Sequence, residues 1–164
     1  MTKLKAELID ELSAHSDLFS RILQQVCETT DWDYGEVWLP KPDSPILQLS
    51  LAWYVSDRLE SDRQHSWQQF RYCSEKFTLR IGEGLPGRVW EFQTPEWIAD
   101  VSAESESYFL RNQIAKAFGA KAALGLPINT NEIQAIVAFF KAEACPQDVQ
   151  VMAATEVIVT QFLT

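Results

Sequence analysis

Residues 76–101 read KFTLRIGEGLPGRVWEFQTPEWIADV, and the rest of the chain is arranged around them. A strand-like run, Phe77-Thr78-Leu79-Arg80-Ile81, enters a turn with Gly82, Gly84, Pro86 and Gly87. One helical turn from Arg88 to Phe92 follows, and then a second apolar run, Trp97-Ile98-Ala99. The glycines permit positive φ or close backbone approach, and Pro86 fixes φ near the start of the short helix. A strand, a loop, a short helix and a strand in so brief a span build the wall of a pocket more readily than a catalytic centre.

Working outward toward the C-terminus, Ala103–Ser107 suits a loop and helix start. Tyr108, Phe109, Ile114, Ala115 and Phe118 then fall on a helix ending at Gly119, a residue suited to the left-handed position after a helix. AALGLPI (122–128) reads as a buried strand, Asn129–Glu132 as a hairpin turn, and IQAIVAFFK (133–141) as the return. Pro146 opens a last helix whose inner stripe is expected to be Val149, Met152, Ala153, Val157, Ile158 and Phe162.

Toward the N-terminus, Ser56–Ser74 is polar, with Leu59, Trp67, Phe70, Tyr72 and Cys73 at loose helical spacing, and its Arg58, Arg63 and Arg71 read as a solvated face. Ile46–Val55 alternates, which predicts a half-buried strand with Leu47, Leu49, Leu51 and Trp53 on one side, antiparallel to a first strand at Glu36–Leu39. Residues 3–29 form one uninterrupted amphipathic helix, long enough that Lys3–Leu12 could face a partner chain. The whole, 1–164, reads as a single α+β domain: an antiparallel sheet of five or six strands with its terminal helices on one shared face.

Composition narrows the partners. With 14 Lys+Arg against 23 Asp+Glu the net charge is −9, which repels nucleic acid and anionic membranes. No apolar run is long enough for a membrane span, and the charged N-terminus lacks the apolar block of a signal peptide, so a cytoplasmic location is expected. Three scattered cysteines (Cys27, Cys73, Cys145) and two histidines (His15, His65) argue against a disulfide framework and against a metal site. Six Trp, nine Phe and four Tyr read first as core, and second as the lining of a pocket for a flat ligand.

The run GEGLPGRVW (82–90), then QTPEWIADV (93–101) and ALGLPI (123–128), resembles the GAF domain, a sensor module of signalling proteins. The motifs cover the second half of the chain; the first half agrees in element order. The resemblance implies a GAF/PAS-like fold, with a pocket on one sheet face roofed by the segments between Gly82 and Gly119 and the terminal helices on the opposite face. It further implies a homodimer through those helices, an unknown small-molecule ligand, and a signal passed to an output domain such as a histidine kinase of a two-component system. In phytochrome-like members a Cys-His pair attaches a bilin, and alignment of the Pro127-Ile128 strand puts Leu110-Arg111 there. Neither forms a thioether, so covalent bilin is not expected, while noncovalent binding of a chromophore stays open.

Within that frame the candidate ligand-contacting residues are Trp90, Trp97, Asp100, Tyr108, Phe109 and Arg111. The aromatics suit stacking on a planar ligand or core packing. Asp100 suits a ligand hydrogen bond or a turn, and Arg111 a bidentate pairing with a ligand carboxylate or an exposed helix charge. No nucleophile motif, phosphate loop or metal-protease motif is present, so no catalytic residue is expected. Two other functions remain alongside sensing: a ligand-free dimerisation module, and a free methionine-sulfoxide reductase. The latter needs an activated thiol with a partner beside the ligand, for which only Cys73 lies in the right neighbourhood.

Overall fold

The computed structural model describes the backbone of residues 2–164 and the side chains of residues 15–164. The candidate dimer contacts at Lys3–Leu12 therefore lie outside the described side chains. The elements run α1 (Thr2–Thr29), β1 (Tyr34–Pro40), β2 (Ile46–Val55), α2 (Ser61–Ser74), β3 (Thr78–Arg80), α3 (Gly84–Phe92), β4 (Glu96–Ile98), a 3-10 turn (Val101–Ala103), α4 (Asn112–Phe118), β5 (Ala122–Asn129), β6 (Gln134–Lys141) and α5 (Val149–Leu163). The strands form one six-stranded sheet in the order β3-β2-β1-β6-β5-β4, and every described pairing is antiparallel. This is the α+β architecture expected from the pattern.

Period-two alternation splits the core between the two faces of the sheet. Val37, Val137, Phe139, Leu124 and Leu126 point to the side of α1 and α5, where they meet Phe19, Ile22, Leu23, Val26, Ile158 and Val159. Tyr34, Trp38, Ile136, Ala138 and Phe140 point the other way, onto Trp67 and Phe70 of α2, Leu85 and Val89 of α3, Phe109, and Ala115 of α4. The terminal helices thus own one face, and the middle of the chain roofs the other.

Four local expectations are corrected. In β2, Glu36 lies opposite Trp53 but Trp38 lies opposite Leu49, so the single residue Val37 faces Ser50–Ala52, and Ala52 N donates to Ser50 Oγ at 3.1 Å across the bulge. The bulge ejects Leu51, which is 88% exposed, and buries Ser50 in its stead. The helix expected from Tyr108 begins only at Asn112, because Tyr108 N and Phe109 N both bond back to Ser105 O in a turn. In α5 the inward stripe is displaced: Val149 and Val157 are 70% and 56% exposed, while Thr155 is buried. Thr155 tolerates burial because its hydroxyl donates to Val151 O at 2.7 Å and accepts from Trp32 Nε1 at 3.3 Å. Finally, Arg71 is buried within α2 rather than part of a solvated face, and Arg58 is spent on Cys27 O, Trp32 O and Asp31 O, binding the end of α1 to the loop before α2.

The stretch around Gly82 folds as its residues require. Gly82 and Gly84 take φ of +82° and +63°, and a Cβ on Gly87 would run into the carbonyl oxygen of Arg80. Gly82 N donates to Gly87 O at 2.9 Å, closing the turn that launches α3 across the sheet.

Candidate functional site

The site is built from three elements that converge above β1. Strand β1, YGEVWLP, is apolar apart from one acid, and alternation sends Glu36 to the same side as Tyr34 and Trp38. Helix α2 supplies Trp67, Phe70, Arg71 and Ser74, spaced i, i+3, i+4 and i+7 and all buried on one helix face. The turn before α4 supplies Phe109 and Arg111, and the first residue of α4 is Asn112, all three buried.

Glu36 and Arg111 form an ion pair, Nη1 to Oε1 at 2.9 Å, with side chains 0% and 1% exposed. Arg111 Nη1 also donates to Ser74 Oγ at 3.0 Å, and the other Glu36 oxygen accepts from Trp38 Nε1. The guanidinium is caged by aromatic rings: its Cζ lies 5.1 Å from the Trp38 centroid, 5.3 Å from Phe70 and Phe109, and 5.4 Å from Phe140. A buried charge pair holds only when its remaining hydrogen-bonding capacity is met, and here it is met on one side only. Arg111 Nη2 has no partner among the described residues.

A second buried cation stands beside it. Arg71 is 4% exposed; Nη2 donates to Ser50 O at 2.5 Å, the carbonyl presented by the β2 bulge. The Tyr34 ring stacks on Trp67 at 5.3 Å and meets the edge of Phe70 at 5.6 Å. Burial pushes the Tyr34 hydroxyl well above its ordinary value and the Glu36 charge adds to this, against the opposing pull of Arg71 and Arg111. Both guanidiniums and the carboxylate therefore act on one hydroxyl. The result is a buried cluster of charged and hydroxyl groups walled by aromatic rings.

Over this core, Arg88 of α3 latches the roof. Its guanidinium makes a two-point contact with Glu96 (2.9 and 2.8 Å), donates to Tyr108 O at 2.6 Å, and sits 3.9 Å from the centroid of the Tyr108 ring. That contact ties α3, β4 and the 105–111 turn into one cover.

The six residues singled out in the sequence separate in space. Phe109 and Arg111 lie in the buried core, Trp90 packs partly buried against it, and Tyr108 sits at the rim, 39% exposed. Trp97 is turned to the other face, packed 5.2 Å from Trp32 with Nε1 donating to Cys145 O at 2.8 Å. Asp100 spends its carboxylate on Ser102 N (3.0 Å) and Ser102 Oγ (2.6 Å), capping the 3-10 turn. Glu36, Trp38, Arg71 and Ser74 were not singled out, although a lone acid inside an apolar strand and an arginine within a Trp-x-x-Phe-Arg face were visible signals. Among the described residues no group of three His, Cys, Asp or Glu converges as metal ligands. No described helix is long and apolar enough to cross a membrane.

Comparison with known proteins identifies the fold. A family model described as GAF domain matches residues 15–161. The fold is similar to the GAF domain of a phosphoenolpyruvate-protein phosphotransferase from Coxiella burnetii (20% identity, TM-score 0.63, covering 99% of this chain and 90% of that one). It is similar also to the GAF domain region of a putative membrane protein from Geobacter sulfurreducens (11%, 0.68, 95% and 95%). A third similar structure is the free methionine-R-sulfoxide reductase of Neisseria meningitidis bound to its substrate (12%, 0.57, 93% and 81%). No curated protein matches the sequence.

Proposed function

The chain belongs to the GAF domain family, a common sensory and regulatory module of signalling proteins, and we propose that it senses a small molecule held between β1, α2 and the 105–111 turn. One observation carries this reading: Glu36, Arg71 and Arg111 are buried in an aromatic enclosure with hydrogen-bonding capacity left over. A core needs no such groups, and burying them costs stability. Binding there would tighten α2 and the cover against the sheet, and β1 would carry that change to α1 and α5 on the opposite face. An output domain or partner would read those helices.

Native mass spectrometry of the purified chain tests the reading, before and after mild denaturation. A bound compound released on unfolding is expected. A bare polypeptide mass, together with no shift of the thermal midpoint across a metabolite panel, would remove it. A visible absorption spectrum of protein made in tetrapyrrole-producing cells tests the chromophore form specifically.

The role proposed is non-enzymatic. Cys27 is buried in the core beneath the terminal helices, where burial pushes its thiol up, opposed by the charge of Arg58. Cys73 belongs to α2 on the other face, and Cys145 follows β6. Thiol chemistry needs an accessible thiolate with a partner beside the ligand, which these separate positions do not favour. Sulfoxide-dependent turnover of a thiol-recycling system, abolished by Cys73→Ser, would overturn this.

A second reading, dimerisation, is favoured by the outer face of α5. Val149, Ala153 and Val157, spaced four apart, are all exposed. Sedimentation of the parent and of Val149→Lys/Val157→Lys decides it: a dimer that dissociates in the variant supports pairing through this helix, and a monomer in both removes it.

A further inference from the structure

Six buried side-chain atoms have no hydrogen-bond partner among the described residues: Tyr34 OH, Trp67 Nε1, Arg71 Nε and Nη1, Arg111 Nη2 and Asn112 Oδ1. Five of the six can donate and only Asn112 Oδ1 cannot, so the unmet demand is for an acceptor. The donors are neighbours. Tyr34 stacks on Trp67 and meets Phe70, and Phe70 in turn faces the Arg111 guanidinium. Arg71 and Arg111 both act on the Tyr34 hydroxyl.

Charge points the same way. Two guanidiniums are enclosed with one carboxylate, Glu36. The other nearby acid, Glu75, lies 3.5 Å from Arg71 Nε but is 53% exposed and so largely answered by solvent. Arg71 approaches Trp53, itself 38% exposed, at 5.6 Å, which places this guanidinium toward the outside of the enclosure. Trapped water would meet some of the donors but leave the excess positive charge unanswered.

We infer that the ligand presents a small planar oxyanion, a carboxylate or a group of that size, to Arg71 and the Tyr34 hydroxyl, with Arg111 as the second cation. This rests on the proposed ligand site and specifies the chemical class that occupies it. Arg71 is the better anion receptor of the two arginines. Its Nη1 has no partner among the described residues and its Nε faces only the exposed Glu75 carboxylate at 3.5 Å, whereas Arg111 Nη1 is committed to both Glu36 and Ser74.

The test titrates the full chain with sodium formate, acetate, nitrate and phosphate against sodium chloride at matched ionic strength. Tryptophan fluorescence and the thermal midpoint are followed together, since Trp38, Trp53 and Trp67 surround the site. The expected result is a saturable response to at least one planar oxyanion beyond chloride, with affinity reduced about 10-fold or more in Arg71→Met, the loss of a charge-assisted contact. Tyr34→Phe should also weaken binding, while in chloride its unfolding midpoint should change little, because the buried hydroxyl has only the Arg71 guanidinium beside it. That pairing separates a ligand contact from a structural one, and it serves if Arg71→Met does not fold. Identical titrations for the parent and both variants, or no saturable response to any oxyanion, would overturn the inference. If neutral compounds bind while oxyanions do not, the anion assignment falls and sensing stands; if neither binds, both fall.

Discussion

Removing the cation from the Glu36–Arg111 pair should unsettle the domain far more than the loss of two hydrogen bonds would. Glu36 and Arg111 are 0% and 1% exposed, and Arg111 Nη1 is shared between Glu36 Oε1 (2.9 Å) and Ser74 Oγ (3.0 Å). Arg111→Met fills most of the space within the Trp38, Phe70, Phe109 and Phe140 cage but strands a buried carboxylate with only Trp38 Nε1 for a partner. Breaking a buried pair from one side costs about 3–5 kcal/mol, a large share of the roughly 5–15 kcal/mol that holds a domain together. The companion Glu36→Gln in the same chain removes the stranded charge and keeps an acceptor for Trp38, so about 2 kcal/mol or more of the loss should return. Urea unfolding of the parent, both single variants and the double variant, followed by tryptophan fluorescence, closes the cycle. An Arg111→Met loss below about 1 kcal/mol, or a double variant as unstable as the two single losses added, would refute the claim that these charges depend on each other.

Gly87→Ala should destabilise by about 2 kcal/mol or more, since its Cβ would press on the Arg80 carbonyl and on the Gly82 backbone, neither of which can rotate away; the urea midpoint reports it. Leu51→Lys should change stability by less than about 0.5 kcal/mol, whereas Leu47→Ala costs about 2–5 kcal/mol, although alternation alone places the two together; the pair tests the β2 bulge. Burial raises the Asp33 carboxyl above its ordinary value, against the hydrogen bond from Ala142 N and the Arg58 charge. The contribution of this group to stability is therefore full below the ordinary carboxylate range and is lost as pH rises through the raised value. Unfolding free energies of parent and Asp33→Asn across the acidic range should differ by an amount that changes in that direction, and a pH-independent difference would contradict it.

Local chemistry was legible in the sequence wherever it depends on near neighbours in the chain. The glycines and Pro86 of 82–87 specify their turn because φ and close approach are properties of single residues, and Gly119 ends α4 for the same reason. Strand and helix order, and the two faces of the sheet, followed from periodicity, since burial on one side imposes it. What needed the tertiary structure was each feature set by a distant partner. The β2 bulge depends on register with β1, and it decides that Leu51 faces solvent and that the Ser50 carbonyl meets Arg71. Trp97 sits on the helical face because β4 pairs with β5 in the register that places it opposite Leu124. Glu36 and Arg111 are 75 residues apart in the chain, so no local pattern links them. Their types were plain in the sequence, but their meeting inside one aromatic enclosure, beside an arginine that reads locally as a surface charge, is a product of the fold alone.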